Sequence, residues 1–445
     1  MMTAVPVLGT WYSCVVQSRR HFRFEGLSAV AHCLMPGQKR VVVIGAGFAG
    51  LSTACCLAKE GWHVTVLEKN DQLGGRCRVW EKDGYVFDMG PSWYWMPEVF
   101  EKFFAHFGRK VSDYYSLQRL DPPYKVFFQD GKEVSVPDKM GELEQLFEKR
   151  ETGAAAKLKM FLAQAAYKYK VGMESYVWKP SVAWSEFLDP RLLVEVLRLQ
   201  MLSSQRSHVK AHFKDPTLVQ LMEWPVLFLG GSPQNIPAMY SMMNHAAIVG
   251  GTWWPKGGMA EVPKAMVSLA RELGVEFRTG KSGTATQIVV DKPSGRWFKD
   301  AAQCRAVAVE EGDDVPADVV VGAADYHHVE QRLLEPRWRS YSENYWEQRV
   351  MSPSSLLFYI GLNCRVPNLE HHNLFFDEDI DTHVEEIYSD PAWPSKPLFY
   401  ASVTTLTEPG MAPKGCDSLF LLVPLAATPN IDTPERCAAT PLVQM

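Results

Sequence analysis

Residues 41–76 confine the chain to one kind of fold, because they read as strand, glycine turn, helix, second strand and acid in one uninterrupted run. Val41, Val42, Val43 and Ile44 form a β-branched stretch suited to a parallel strand buried on both faces. Gly45, Gly47 and Gly50 come next with G-x-G-x-x-G spacing as the chain enters a helix. Gly45 permits the tight turn, Gly47 lets backbone N–H groups approach a pyrophosphate, and Gly50 lets the helix lie against the strand. The helix N-terminus offers unpaired donors and a positive dipole end to the phosphates. Leu51, Ala54, Cys55 and Ala58 make the helix's apolar stripe, Gly61 ends it, and residues 64–67 form a second strand that closes on Glu68. An acid there accepts hydrogen bonds from a free ribose and repels a 2′-phosphate, which favours FAD or NAD over NADP.

The residues after Glu68 favour FAD over NAD. Asp71-Gln72-Leu73-Gly74-Gly75-Arg76 resembles the extension carried by flavin-dependent amine oxidases and their relatives. There the glycine pair runs along the pyrophosphate and the arginine pairs with its charge. Phe87-Asp88-Met89-Gly90-Pro91 is similar to the segment that comes up beneath the flavin in the same superfamily. The resemblance therefore implies FAD held by Gly45, Ala46, Gly47, Phe48, Ala49, Gly50, Glu68, Lys69, Gly74, Gly75, Arg76, Gly90 and Pro91.

At 445 residues the chain exceeds one typical core, so two interleaved domains are expected. Residues 125–136 read as two short strands joined by a two-residue Asp130-Gly131 loop. From about residue 139 to 250 the pattern turns helical, with Leu143, Leu146 and Phe147 on one face and Leu158, Phe161, Leu162 and Ala165 on another. The dinucleotide fold resumes at Gly257-Gly258-Met259, where Val262, Met266, Leu269, Ala270 and Leu273 make a helix stopped by Gly274. Further strands are expected at 275–278, 304–309 and 317–322. The expected class is α/β, a Rossmann-like FAD-binding domain interrupted by a mixed α+β substrate domain. The boundaries are an extension at 1–38, FAD-binding parts at 39–95 and 256–330, substrate parts at 96–255 and 331–427, and an atypical tail at 428–445.

Composition narrows the function. Hydrophobic residues at 47%, with 14 Trp and 22 Phe, supply both a large core and an apolar tunnel. A net charge of −5 gives no electrostatic case for nucleic acid. Nine cysteines with no C-x-x-C pair read as small buried thiols in a reducing compartment, so neither a disulfide framework nor a metal site is expected. The most apolar stretch, 419–427, is too short to span a bilayer. Residues 1–38 carry Arg19, Arg20 and Arg23 with Glu25 as their only acid, compatible with a targeting leader or a disordered extension.

The segments Gly250-Gly251-Thr252-Trp253-Trp254-Pro255-Lys256-Gly257-Gly258-Met259, Ala323-Ala324-Asp325-Tyr326-His327-His328 and His371-His372-Asn373-Leu374-Phe375-Phe376 resemble, in this order, the bacterial-type phytoene desaturases. Leu398-Phe399-Tyr400 and Ala412-Pro413 continue the likeness, which spans residues of about 40 to 427. It implies FAD as the redox cofactor, a long apolar polyene as substrate, and oxygen or a quinone as electron acceptor. A polyene of about forty carbons, at about 0.8 kcal/mol per CH₂, costs on the order of 30 kcal/mol to expose to water, so it must pass directly from bilayer to tunnel. Peripheral membrane contact is therefore expected: in an organelle such as a plastid if residues 1–38 are a transit peptide, otherwise at the cytoplasmic face of a membrane. Residues 184–214 are the candidate face, with Leu188, Leu192, Val196 and Leu199 on one side and Arg191, Arg198, Arg206, Lys210 and Lys214 to meet anionic headgroups.

The reaction expected is hydride transfer from an allylic carbon to the flavin, then loss of a proton from the neighbouring carbon. No sequence feature names the base. Asp88 reads as a turn former and His327 as a strand-end residue, while His371 and His372, as neighbours on an extended strand, would point to opposite faces and could not share a metal. The acidic residues of 377–386 read as a solvated face. Relatives continue past 427 into a last strand and helix that complete the flavin pocket. Here residues 428–445, with Pro429, Pro434 and Pro441, do not match that element, so weak FAD binding or impaired activity is expected. The alternatives are a carotenoid isomerase, a retinol-saturase-like flavoenzyme, or a truncated non-catalytic isoprenoid binder akin to the Rab GDP-dissociation inhibitors.

Overall fold

Val41 and Val43 face one side of their strand and Val42 and Ile44 the other, and each pair is buried in a different core. This two-sided burial explains the unbroken β-branched run. The computed structural model describes residues 14–15, 39–178, 195–291 and 302–427. The central sheet runs Cys14–Val15, Val319–Gly322, Arg40–Ile44, His63–Glu68, Glu276–Thr279, and all neighbours are parallel except the first pair. Helices Phe48–Lys59 and Glu261–Glu272 cover one face, placing Leu51, Ala54, Val262, Met266 and Leu269 against Val41, Val43, Val64 and Val66. A three-stranded sheet, Ala285–Asp291, Gln303–Val309 and Val315–Pro316, covers the other through Ile288, Val307 and Val315.

A second, six-stranded sheet runs Ser354–Leu362, Asp417–Leu425, Phe399–Val403, His372–Phe376, Tyr124–Phe128, Glu133–Val136. It therefore joins a hairpin from the first half of the chain to four strands from the last quarter. Helices Met140–Arg150 and Ala154–Val171 pack beside it, burying Leu143, Phe147, Leu158, Phe161 and Leu162 as the helical spacing predicts. The hairpin loop differs from the two-residue expectation. Phe128 N–H donates to Lys132 O at 2.9 Å, leaving three loop residues, and Gly131 takes the left-handed conformation at φ 74°. Gly131 N–H also bonds Phe128 O, so a turn precedes the glycine, the three-residue alternative to a tight Asp-Gly loop.

Strand Tyr85–Asp88 borders the six-stranded sheet. Ser418 donates to Val86 O at 3.2 Å and Tyr359 to Met89 O at 2.9 Å, tying the end of this strand to the six-stranded sheet.

The expected membrane face is only partly borne by the structure. Residues 184–194 lie outside the described residues. Arg206 is mostly withdrawn from solvent: its guanidinium pairs with Glu223 at 2.9 Å and Asp381 at 2.7 Å, because Glu223 is buried and requires a counter-charge. Leu199 is buried, whereas Leu197 and Leu202 are exposed. The acidic stretch is less free than a solvated face. Asp379 caps helix Ile380–Tyr388 and Asp381 is the partner of Arg206.

Candidate functional site

The turn after Arg40–Ile44 explains its glycines one by one. Gly45 has φ 106°, and a Cβ there would stand 2.9 Å from Ala323 O; a Cβ on Gly50 would fall 1.8 Å from Gly45 O. Both are glycine for reasons inside the protein. Gly47 is not: its φ is −78°, which any residue adopts, and a Cβ there would meet only Gly75 Cα, at an ordinary 3.9 Å. A glycine kept where the protein's own packing does not ask for one leaves room for a ligand's close approach. Helix Phe48–Lys59 begins here without a side-chain cap or an acid in its first turn, so its leading N–H groups stay open to an anion.

Glu68 and the Gly74-Gly75 loop close on this turn. Glu68 is buried; its Oε2 accepts from Ala46 N–H at 3.0 Å and its Oε1 from Asn70 N–H at 3.0 Å. Gly74 N–H donates to Ala46 O at 2.9 Å, and Gly75, at φ 61°, lies against Gly47. A Cβ on Gly90 would fall 2.2 Å from Arg76 O, so the second segment packs on the first. Ala46 and Gly50 are buried, Phe48 and Ala49 half-buried, and Lys69, Arg76 and Pro91 exposed at the rim. The residues therefore converge on one cradle, which fits a dinucleotide.

Asp88 holds the neighbouring wall. Its carboxylate accepts from Met259 N–H at 3.1 Å and Ala260 N–H at 3.2 Å, fixing the Gly257-Gly258 turn ahead of helix Glu261–Glu272. Burial pushes its carboxyl up to about 6, against the pull of those two donors. His327 is exposed, with its ring edge on Trp346.

The expectation that His371 and His372 diverge is overturned. Their ring centres stand 4.4 Å apart, because His371 precedes the strand His372–Phe376 and occupies a bend where alternation does not apply. Both are buried, and burial drives His371 down to about 3 and His372 well below the ordinary imidazole range. Trp93 stacks on His372 at 3.9 Å and belongs to a packed aromatic cluster with Trp95, Tyr124, Trp224 and Tyr400. Sequence reasoning missed this cluster, although the run Trp93-Tyr94-Trp95 was its visible trace. Among the described residues no group of three or more His, Cys, Asp or Glu gathers as for a metal, and no helix is long and apolar enough to cross a membrane.

Residues 48–404 match the family model for flavin-containing amine oxidoreductases. The chain is 41% identical over 387 residues to a carotenoid 3,4-desaturase of Haloarcula japonica, covering 87% of this chain and 76% of that protein. It is 34% identical over 387 residues to a ζ-carotene-forming phytoene desaturase of Myxococcus xanthus, covering 87% and 72%. A solved putrescine oxidase triple mutant shares the fold with a TM-score of 0.54 at 15% identity, over 91% of this chain and 80% of that one. With its glycine cradle and its matched span, the chain belongs to the flavin-containing amine oxidoreductase family.

Proposed function

We propose that this oxidoreductase binds FAD and desaturates a carotenoid-like polyene. The observation that carries the reading is Gly47, a glycine without an intramolecular reason at the mouth of a helix N-terminus, in a chain whose relatives are named as desaturases of carotenoids. Glu68 suits a ribose with free hydroxyls, and the Gly74-Gly75 loop suits a pyrophosphate drawn along the turn. When bound, the flavin supplies a hydride acceptor.

The chain's own residues do the rest. Trp93, Trp95, Tyr124, Trp224 and Tyr400 pack into an apolar aromatic cluster, which keeps water from this part of the second sheet as the electron-poor carbons left by hydride loss require. Peripheral membrane contact, with oxygen or a quinone as final acceptor, completes the proposal. Exposed Met160, Leu197 and Leu202 support the contact.

The test is to purify the full chain with added FAD, record its visible spectrum, and incubate it with a colourless polyene of the phytoene type. Flavin bands and a coloured, more conjugated product are expected. A geometric isomer with no added double bond would point to isomerisation, and a protein without flavin bands to a non-catalytic binder.

A further inference from the structure

Strand Ser354–Leu362 closes one side of the six-stranded sheet, and no described strand lies beyond it. Its nine residues, Ser-Ser-Leu-Leu-Phe-Tyr-Ile-Gly-Leu, hold no charge and no proline. Its register with Asp417–Leu425 runs from Ser354 opposite Leu425 to Leu362 opposite Asp417 without a bulge. Such an edge leaves alternate N–H and C=O groups without a strand partner along its outer side, a template for another chain.

The other edges of the larger sheets are guarded. Glu133–Val136, at the far side of the same sheet, is four residues long and begins on Glu133, paired with Lys125 at 2.7 Å. Glu276–Thr279 carries Glu276 and Arg278, Cys14–Val15 and Val315–Pro316 are two residues long, and Ala285–Asp291 is broken by two register shifts. Ser354–Leu362 has none of these devices. Its side chains are apolar on both faces, Leu356, Phe358 and Ile360 on one and Leu357 and Tyr359 on the other, and all five are only half-buried. The lead-in residues Val350 and Met351 are 92% and 69% exposed.

We propose that two copies of this chain pair along Ser354–Leu362, antiparallel about a two-fold axis near Phe358, so that their six-stranded sheets join edge to edge. The strand suits its own copy. Without charge it holds no pattern for a partner of opposite sign, and an axis at Phe358, its middle residue, sets Leu356 of each copy opposite Ile360 of the other. The same axis lays each exposed Val350-Met351 pair alongside the residues that follow Leu362 in the other copy. A nine-residue strand is about 30 Å long, and with both side-chain rows and these lead-ins the pair buries on the order of 1,200 Å² in total, the size at which stable interfaces begin. A two-fold contact closes on itself, so assembly stops at two copies. The proposal stands apart from the desaturation reading.

The full chain with added FAD is tested by sedimentation equilibrium and by amide hydrogen exchange, each at low and high protein concentration. A mass of two chains is expected at high concentration, with the outward amides of Ser354–Leu362 exchanging at least about tenfold more slowly there than in dilute solution. Leu356→Lys, which sets a charge in the paired edge, should sediment as one chain. Ser355→Lys, at an exposed position of the same strand, should weaken self-association at least about tenfold and decides the matter if Leu356→Lys does not fold. Val249→Lys, at an exposed apolar position on another element, should leave the two-chain mass unchanged. A one-chain mass at every concentration overturns the proposal, even with the strand amides protected, since a segment of the same chain would then cover the edge. A dimer that survives the lysine substitutions, or whose strand amides exchange alike at both concentrations, also overturns it by placing the contact elsewhere. A mass above two chains contradicts the two-fold pairing.

Discussion

A Cβ built on Gly75 would stand 2.9 Å from the Cα of Gly47, so the two glycine loops touch backbone to backbone. The contact is asymmetric. Gly75 has φ 61° and is glycine because of Gly47, whereas Gly47 has ordinary dihedrals and a Cβ there would be tolerated by Gly75. Gly75→Ala should cost about 1–2 kcal/mol of stability from the left-handed backbone alone. Gly47→Ala should leave the melting temperature of the flavin-free protein unchanged while weakening flavin binding at least about tenfold, because only the ligand meets the new methyl. Thermal melts without flavin and a flavin titration of both variants separate the two effects.

Glu68 ties the second strand to the turn through Ala46 N–H. Glu68→Ala strands that buried donor, and a loss of about 1–3 kcal/mol is expected even without flavin. Glu68→Gln, which keeps an acceptor, should recover most of the stability. Denaturant unfolding of the two variants measures the difference.

Asp88 titrates at about 6 in the folded chain, above the ordinary carboxylate range, because burial penalises its charge more than two N–H donors and the nearby Lys264 favour it. The folded state therefore holds this proton more tightly than the unfolded chain. The resulting stability is complete below about pH 4 and is lost as the pH rises through about 6, a change on the order of 3 kcal/mol. Asp88→Asn should flatten the dependence of unfolding free energy on pH across that window. An equally steep dependence in the variant would contradict this assignment.

Arg206 gives Glu223 its only charged hydrogen-bond partner among the described residues and reaches Asp381, 175 residues further along the chain. Arg206→Ala leaves a buried carboxylate unpaired and should cost about 3 kcal/mol. Lys210→Ala, at an exposed position of the same helix, should cost almost nothing. Chemical denaturation of the pair checks both.

What the sequence disclosed was set by local pattern. The β-branched run at Val41, the glycine spacing and the helical faces at Leu143 and Leu158 need only neighbours in the chain to be read. Asp88 was recognised as structural, but its partners Met259 and Ala260 lie about 170 residues on, beyond any local pattern. Arg206 looked like a surface cation because Glu223 and Asp381 reach it only through the tertiary fold. The convergence of His371 and His372 was hidden by a bend that the apolar strand pattern after it does not announce. The three-residue hairpin loop escaped because Asp-Gly serves both loop lengths.

The most direct test of the central claim is one anaerobic experiment, in which the full chain loaded with FAD is mixed with a colourless carotenoid precursor while the visible spectrum is followed. Loss of the flavin bands in step with the rise of a longer polyene absorption, one new double bond per flavin reduced, is the predicted result. Flavin bands that persist in excess polyene, with the precursor recovered unchanged, would contradict it.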